Sequence, residues 1–242
     1  MQATPFAPGL VLRNCQSGQK LSDFKLIAFD MDSTLINIEC VDEIADAVGR
    51  KEEVAAITEA SMRGEIADFK DSLRRRVALL KGVTVADMEA VYTQRLQLNP
   101  GAAELVAACK KAGLKVLLVS GGFTFFADRV KERLGIDFAR SNVLEVESGP
   151  NCGMLTGRMV DQSWGDICDG AEKRRTLLEV ASLMGIDMKQ TIAVGDGAND
   201  LPMMGEAGLS VAYHAKPTVR AKAHVAIDTG GLDRLLEVLH AG

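Results

Sequence analysis

The sequence predicts a doubly wound α/β fold built on a parallel β-sheet, and three observations lead to this prediction. Short runs rich in Val, Ile and Leu recur without polar alternation, as expected for strands that are buried on both faces. Helical patterns separate these runs, which is the order of βαβ units. Asp30, Ser120 and Asp196 lie at the carboxyl ends of three of these runs. Ligands bind at the carboxyl ends of such strands, so we expect these side chains to share one edge of the sheet.

The elements follow in order along the chain. The predicted strands are 25–31, 115–120, 191–195, 209–212 and 224–227. The predicted helices between and after them are 101–112, 124–134, 171–184, 201–207 and 232–240. Each strand is short and bounded by Gly, Asp or Ser, which favours buried strands over helices.

Residues 36–99 interrupt this alternation. Four helical patterns, 40–48, 52–61, 68–80 and 85–96, occur there without an evident strand. We predict that residues 36–99 form an all-helical cap, and that residues 1–35 and 100–242 form the Rossmann-like core, with a small hairpin near 142–165. Residues 1–22 receive no prediction.

Composition narrows the classes of protein. The chain has 242 residues, 47% hydrophobic, with a net charge of −5. An acidic chain without a basic patch is not expected to bind nucleic acid, and no apolar run is long enough to predict a membrane span. The five cysteines are scattered without a C-x-x-C pair. They indicate reduced thiols, so we expect a cytoplasmic protein. A homodimer is left open.

Asp30 and Asp32 follow the first predicted strand at its carboxyl end. Two carboxylates this close repel each other unless a cation lies between them, and Mg2+ prefers such oxygen ligands. A D-x-D sequence also occurs in turns and helix caps, but the buried strand before it favours a functional pair. We expect Asp30 to act as a nucleophile that forms an aspartyl phosphate, and Asp32 to act as general acid and base.

Two further segments provide groups for an anion. Ser and Gly are common in turns after strands, but the hydroxyl of Ser120 and the N–H of Gly121 can also both donate to a phosphate. Lys173 belongs to a basic cluster at the start of a predicted helix. Such a cluster is usually a solvated face, whereas a lysine beside a transferring phosphoryl group would neutralise its charge. Spacing alone does not separate Lys173 from the two arginines that follow it.

A glycine loop follows the strand at 191–195. Asn199 or Asp200 would cap the next helix, but capping does not explain Asp196, which comes directly after the strand. A third carboxylate at this position completes an oxygen-rich Mg2+ site with Asp30. We expect Asn199 and Asp200 also to orient the metal shell or the lysine. Neither a P-loop nor a dinucleotide-binding glycine pattern is present in the sequence.

These motifs, in this order and spacing, resemble the haloacid dehalogenase superfamily of phosphohydrolases. The likeness covers residues 25–239 and is greatest to the phosphoserine phosphatase family. The stretches that carry the closer likeness are 30–39, 41–45, 72–77, 119–123 and 195–200. The resemblance implies Mg2+-dependent hydrolysis of the small-molecule substrate O-phospho-L-serine through an aspartyl phosphate, as the last step of serine biosynthesis.

The resemblance also implies roles that spacing does not give. Glu39 corresponds to the residue that receives the substrate ammonium, and Arg76 to the arginine that binds its carboxylate by two parallel hydrogen bonds. Without the resemblance, both positions would be assigned to solvated helical faces, and the two arginines before Arg76 are close alternatives. The remaining correspondences are Ser120, Gly121, Lys173 and Asn199 on the phosphate side, and Asp30, Asp196 and the backbone carbonyl of Asp32 at the magnesium site.

Three alternatives remain. The same chemistry could serve phosphoryl transfer to homoserine or hydrolysis of another small phosphomonoester. A signalling receiver also phosphorylates an aspartate, but residues 36–99 are not expected in a receiver. A catalytically inactive phosphate-binding protein would not need every acidic residue together with Ser120 and Lys173.

Overall fold

The computed structural model describes residues 3–13, 18–63, 65–149, 152–163 and 165–239. The strands are β1 (Ala3–Ala7), β2 (Leu10–Arg13), β3 (Leu26–Phe29), β4 (Lys115–Phe123), β5 (Phe138–Asn142), β6 (Leu144–Val146), β7 (Leu155–Met159), β8 (Thr191–Gly195), β9 (Leu209–Tyr213) and β10 (Val225–Ile227). The helices are α1 (Cys40–Ala47), α2 (Lys51–Met62), α3 (Phe69–Ala78), α4 (Val85–Gln94), α5 (Ala102–Lys111), α6 (Thr124–Leu134), α7 (Gly170–Leu183), α8 (Leu201–Glu206), α9 (Pro217–Arg220) and α10 (Leu235–Val238). Among the described residues, every helix is too short or too polar to cross a membrane.

The central sheet has the order β1-β2-β10-β9-β8-β3-β4-β5. The six strands from β10 to β5 run parallel, and the chain builds outward from β3 to β4 and β5 before it returns to β8 on the other side. This reversal of direction is characteristic of a doubly wound sheet. The predicted fold class is confirmed.

Both faces of the sheet are covered. On β3, Ile27 and Phe29 pack into one cluster with side chains of α5 and α6. Leu26 and Ala28 point to the opposite face, where α7 and α8 cover them. Successive side chains of a strand alternate between faces. All four β3 residues are therefore buried, which explains why the sequence shows an unbroken apolar run there.

Three strands of the central sheet were missed by the sequence prediction. β1 and β2 form an antiparallel pair, and β2 extends the sheet beyond β10. β5 lies at the other edge, beside β4. Its sequence, Phe-Ala-Arg-Ser-Asn, begins with an exposed Phe138 and has no apolar run. The three buried residues of β5, Arg140, Ser141 and Asn142, are polar, so this strand lacks the apolar run that marks the others.

Helices α1–α4 lie between β3 and α5 in the chain, above the carboxyl ends of the strands. Helix α3 contacts β7, which pairs with β6 in an antiparallel hairpin. Gly82 N donates to Leu155 O at 2.8 Å, and Val85 N donates to Gly153 O at 2.8 Å. These backbone bonds join the loop between α3 and α4, and the first residue of α4, to β7 and the turn before it. The limits of the cap at 36 and 99 stay a prediction.

His224 makes one pH-dependent contribution to the stability of the sheet. Ser210 N donates to His224 Nδ1 at 3.0 Å, and burial lowers the pKa of His224. The folded state therefore favours the neutral ring, and the unfolded chain binds the extra proton more readily. The contribution is fully present above the ordinary histidine pKa of about 6.5 and falls as the pH drops below it.

We expect His224→Asn to be less stable than the wild-type protein at pH 8 and nearly as stable at pH 5. Paired thermal unfolding at the two values measures the difference. The prediction would be contradicted if the difference in Tm between wild type and variant were as large at pH 5 as at pH 8. Because the two proteins are compared at the same pH, the effects of acidic residues elsewhere on Tm cancel.

Candidate active site

Three neighbouring strands carry the predicted site residues to one edge of the sheet. Asp30 follows β3, Asp196 follows β8, and Ser120 lies near the end of β4. β3 is hydrogen-bonded to both β8 and β4. Because the strands are parallel, their carboxyl ends meet where the direction of strand addition reverses, which is where open α/β sheets bind ligands.

Lys173 lies behind this edge and is completely buried. Its Nζ donates to Asp30 Oδ1 at 2.6 Å and to Asp200 Oδ1 at 2.7 Å. Burial opposes the charge on Lys173, but the charges of Asp200 and Asp30 outweigh it and raise the pKa of the lysine. Lys173 is therefore a permanent cation in direct contact with the predicted nucleophile.

The two arginines that spacing could not separate from Lys173 point elsewhere. Arg174 Nε donates to Glu206 at 2.7 Å, and Arg175 Nε donates to Glu172 at 2.8 Å. The structure brings only Lys173 of the three to Asp30.

Asp30 is 5% exposed, and one of its oxygens is already occupied. Oδ1 accepts from Met31 N at 2.8 Å as well as from Lys173. Among the described residues, none donates to Oδ2. Burial first, then the charge of Asp200, raise the pKa of Asp30 well above its ordinary value, although Lys173 opposes them. One oxygen is thus held in place while the other is available to a ligand.

The Asp32 carboxylate is hydrogen-bonded to the first residue of α1 and lines the same cavity as Asp30. Cys40 Sγ donates to Asp32 Oδ1 at 3.1 Å, and Cys40 N approaches Oδ2 at 3.4 Å. Ser33 between them has φ +56, and its Oγ donates to Glu39 Oε1 at 2.7 Å. A serine in this left-handed conformation costs roughly 1 kcal/mol, which the bond to Glu39 offsets. Burial, then the charge of Glu39, raise the pKa of Asp32 to about 7.

Carboxylate oxygens of Asp30, Asp196 and Asp200 lie within 4.8 Å of one another and could hold a metal ion. Burial, then the charge of Asp200, raise the pKa of Asp196 to about 6. Three acids and a single buried lysine leave excess negative charge, which a hard divalent cation among oxygen donors would neutralise. The donor set therefore fits Mg2+.

This group contains two of the predicted metal ligands, Asp30 and Asp196, together with Asp200, which was predicted to orient the site. The prediction had Asp32 bind through its backbone carbonyl, and its carboxylate accepts from Cys40. Asp200 Oδ2 already accepts from Asp196 N at 3.1 Å and from Gly197 N at 3.0 Å, and Oδ1 accepts from Lys173. With both oxygens occupied, Asp200 is better suited to hold the loop and the lysine than to bind the ion.

The loop at the end of β4 presents donors to the same space. Ser120 is fully buried, and its Oγ accepts from Gly122 N at 2.8 Å, which leaves the hydroxyl hydrogen for another acceptor. A Cβ at Gly121 would lie 3.2 Å from Phe69 Cζ and 3.3 Å from the backbone oxygen of Cys168. Glycine at 121 therefore allows α3 and the segment before α7 to approach this loop closely.

A cavity of about 280 Å³ lies between the sheet edge and helices α1–α3. Its lining on the sheet side includes Asp30, Asp32, Ser120, Gly121, Asp196 and Asn199, and on the helical side it includes Glu39, Asp42, Phe69 and Arg76. Lys173 and Asp200 are absent from the lining and lie beneath it. The residues on the sheet side form an acidic floor of the cavity, and those on the helical side form a polar roof.

The roof contains two polar atoms that lack partners. Arg76 Nε and Asp42 Oδ1 are buried without a hydrogen-bond partner among the described residues. Burial lowers the pKa of Arg76, against the charges of Asp42 and Glu39. Buried polar groups are rarely left unsatisfied. A ligand that carries both a hydrogen-bond acceptor and a donor would satisfy this wall.

Comparisons with known proteins identify the family. A family model for haloacid dehalogenase-like hydrolases matches residues 27–205. The chain is 72% identical over 239 residues to a phosphoserine phosphatase of Polaromonas sp. (strain JS666), which spans 99% of this chain and 100% of that protein. The chain belongs to the haloacid dehalogenase-like hydrolases. Within that family, its sequence places it among the phosphoserine phosphatases, so the predicted resemblance is confirmed.

Solved structures agree with this placement of the hydrolase. One is a phospho-aspartyl intermediate analogue of phosphoserine phosphatase, with a TM-score of 0.79 and 40% identity over 88% of this chain and 98% of that one. Another is a substrate-bound phosphoserine phosphatase complex, with a TM-score of 0.79 and 40% identity over 88% of this chain and 97% of that one. Both share the fold of this hydrolase.

Several residues of the hydrolase site were not found by sequence reasoning. Cys40 contacts Asp32, and Asn142 contacts the loop at the end of β4 through Gly121. Lys216 lines the cavity beside Asp196. No local sequence pattern marks these residues, because each is brought to the site by a tertiary contact. Asp42 follows Glu39 by three residues on the same helical face, which is a signal that helical periodicity could have used.

Proposed function

We propose that this hydrolase is a Mg2+-dependent phosphoserine phosphatase that converts O-phospho-L-serine to L-serine and phosphate. The observation that supports this most is the division of the cavity. Its floor offers carboxylates and a hydroxyl for phosphoryl chemistry, and its roof offers Arg76 and acidic side chains for a carboxylate and an ammonium. The close relationship to phosphoserine phosphatases supports the same substrate.

The first step forms an aspartyl phosphate on Asp30. Its Oδ2 attacks phosphorus while Oδ1 stays bound to Lys173 and Met31 N, and the bond between phosphorus and the serine oxygen breaks. Asp32 donates a proton to the departing oxygen, for which a pKa of about 7 suits neutral conditions. Lys173 and Ser120 stabilise the charge on the phosphoryl oxygens.

The second step hydrolyses this intermediate. Asp32, now a carboxylate, takes a proton from water, and the water oxygen attacks phosphorus to release phosphate and free Asp30. Asp30, Asp196 and the backbone carbonyl of Asp32 would hold Mg2+, which supplies a positive charge beside the phosphoryl group when bound. Asp200 and Asn199 keep the loop after β8 in place.

The helical region closes the site in this proposal. Residues 36–99 form a cap that brings Glu39 to the substrate ammonium and Arg76 to its carboxylate. Closure excludes bulk water during phosphoryl transfer, and one water molecule must enter for hydrolysis. The reaction is the final step of serine biosynthesis in the cytoplasm. A homodimer stays a prediction.

A substrate panel tests the proposal. Phosphate release is measured from O-phospho-L-serine, other small phosphomonoesters and an aryl phosphate, each with and without homoserine. We expect the highest kcat/KM for phosphoserine and no effect of homoserine. Formation of phosphohomoserine would favour the transferase alternative, and equal activity on all esters would contradict an amino-acid substrate.

Removal of divalent cations should abolish this activity. We expect EDTA to reduce phosphate release below detection and added Mg2+ to restore it, because three clustered carboxylates are not neutralised by Lys173 alone. Thermal unfolding offers an independent measurement, since an ion that binds only the folded state raises Tm. Undiminished turnover in EDTA would contradict the metal site.

A further inference from the structure

Asn142 joins two segments of the phosphate-binding side from outside the cavity. It is the last residue of β5 and is 3% exposed. Its Nδ2 donates to Gly121 O at 2.9 Å, and its Oδ1 accepts from Cys168 N at 2.9 Å. A carbonyl can only accept and a backbone N–H can only donate, so the two partners fix the orientation of the amide.

Both partners lead directly to proposed phosphate ligands. Gly121 belongs to the loop that follows Ser120, and Cys168 precedes α7, which carries Lys173. Asp169 Oδ1 caps α7 by accepting from Glu172 N at 2.9 Å, and Lys173 N donates to Asp169 O at 2.8 Å. One buried side chain thus sets the spacing between the serine loop and the lysine helix.

The loop needs an external restraint because it contains two consecutive glycines. Glycine adopts backbone conformations that other residues avoid, so the peptide between Gly121 and Gly122 can rotate at little steric cost. In the structure, the carbonyl of this peptide is bound by Asn142 and its N–H by Ser120 Oγ. Rotation would break both bonds and free the Ser120 hydroxyl from its position. It would also release a carbonyl dipole beside a bound anion.

We propose that Asn142 is a positioning residue that holds the Ser120–Gly121 loop and the start of α7 in the geometry that binds the phosphoryl group. It acts through Gly121 and Cys168 and is absent from the cavity lining. The proposal rests on the proposed function only in that a phosphoryl group occupies this loop. It does not depend on which phosphomonoester is the substrate.

Two variants of Asn142 separate positioning from simple packing. Asn142→Asp keeps the shape and the acceptor for Cys168 N but sets a carboxylate oxygen against the Gly121 carbonyl. Asn142→Ser removes both long-range bonds and serves if the first variant does not fold. Ser210→Ala is the matched control. Ser210 on β9 is equally buried, at 3% exposure. Its hydroxyl accepts from His224 N, just before β10 and away from the phosphate loop.

The measurement uses inorganic phosphate and the Mg2+-loaded protein, by calorimetry and by inhibition of aryl phosphate hydrolysis. Loss of one buried hydrogen bond with its partner left unsatisfied corresponds to about a tenfold change in affinity. We expect Asn142→Asp to weaken phosphate binding about tenfold and to raise KM more than it lowers kcat. Ser210→Ala should lower Tm and leave phosphate binding unchanged. Faster amide exchange at Cys168 in the Asn142 variants would support the same conclusion.

Two results would overturn the proposal. One is wild-type phosphate affinity in a folded Asn142 variant, and the other is equal weakening by Ser210→Ala. If the wild-type protein binds phosphate but does not hydrolyse phosphoserine, the proposed substrate is wrong while the Asn142 comparison stands.

Discussion

Asp30→Asn should reduce the steady-state hydrolysis of phosphoserine roughly ten-thousand-fold or more, because an amide cannot form the acyl phosphate. The residual rate would come from the remaining charged groups of the site. The change is isosteric, and Lys173 keeps Asp200 as its partner. We therefore expect the variant to fold, with a Tm within a few degrees of the wild-type value. Measurement of phosphate release together with thermal unfolding tests both statements.

The matched control is Asp128→Asn, which removes one carboxylate from the exposed surface of α6. It should retain wild-type turnover. Trapping and mass analysis of the phosphorylated protein add a direct test, since phosphate should be found on Asp30 of the wild-type chain and not on the Asp30→Asn variant. Appreciable turnover by Asp30→Asn would end the covalent mechanism, even if phosphoserine remains the substrate.

The sheet side of the site could be predicted because its signals are local. A polar residue lies at the carboxyl end of each of three buried runs in the sequence. The parallel sheet brings these ends together. The β8 strand has the predicted limits, 191–195, because Gly and Asp end its apolar run. The identity of Lys173 among three basic residues could not be predicted in this way. It depends on which face of α7 is buried against β3, and that is a tertiary contact.

Other features could not be predicted because their causes are distant in the chain. Asn142 ends an edge strand without an apolar pattern, and its partners lie 21 and 26 residues away. The turn of the Asp32 side chain towards Cys40 requires the left-handed Ser33 and the start of α1. A single sequence shows the acid pair but does not show which partners hold each carboxylate.

The roles of Glu39 and Arg76 in the roof of the cavity were predicted only from the resemblance to a known family. Glu39 is exposed and directly precedes α1, and Arg76 is half-buried on α3; charged residues in and beside amphipathic helices usually face solvent. The structure supplies a physical reason that the sequence lacked. Arg76 points into the cavity wall with an unpartnered Nε, and burial without a partner is costly.

Arg76→Ala should lower kcat/KM for phosphoserine about a hundredfold and leave an aryl phosphate within about threefold of the wild-type rate. The reason is that charge-assisted hydrogen bonds are worth about 1.5–3 kcal/mol, and only phosphoserine carries a carboxylate to receive them. The loss should appear mainly in KM if the carboxylate is bound equally in the ground and transition states. Phosphoethanolamine, which has an ammonium but no carboxylate, should behave like the aryl phosphate.

Arg75→Ala is the control for this assignment, because the spacing of the basic cluster did not distinguish its members. Arg75 is exposed and pairs with Asp71 at 2.9 Å, four residues earlier on α3. Such surface pairs contribute little, so activity on both substrates should be unchanged. Equal losses on phosphoserine and on the aryl phosphate in Arg76→Ala would remove Arg76 from the carboxylate site and assign it to the closure of the cap. If Arg75→Ala instead lost activity on phosphoserine alone, Arg75 would be the residue that binds the substrate carboxylate. The assignment of the helical side of the cavity to Arg76 would then be wrong.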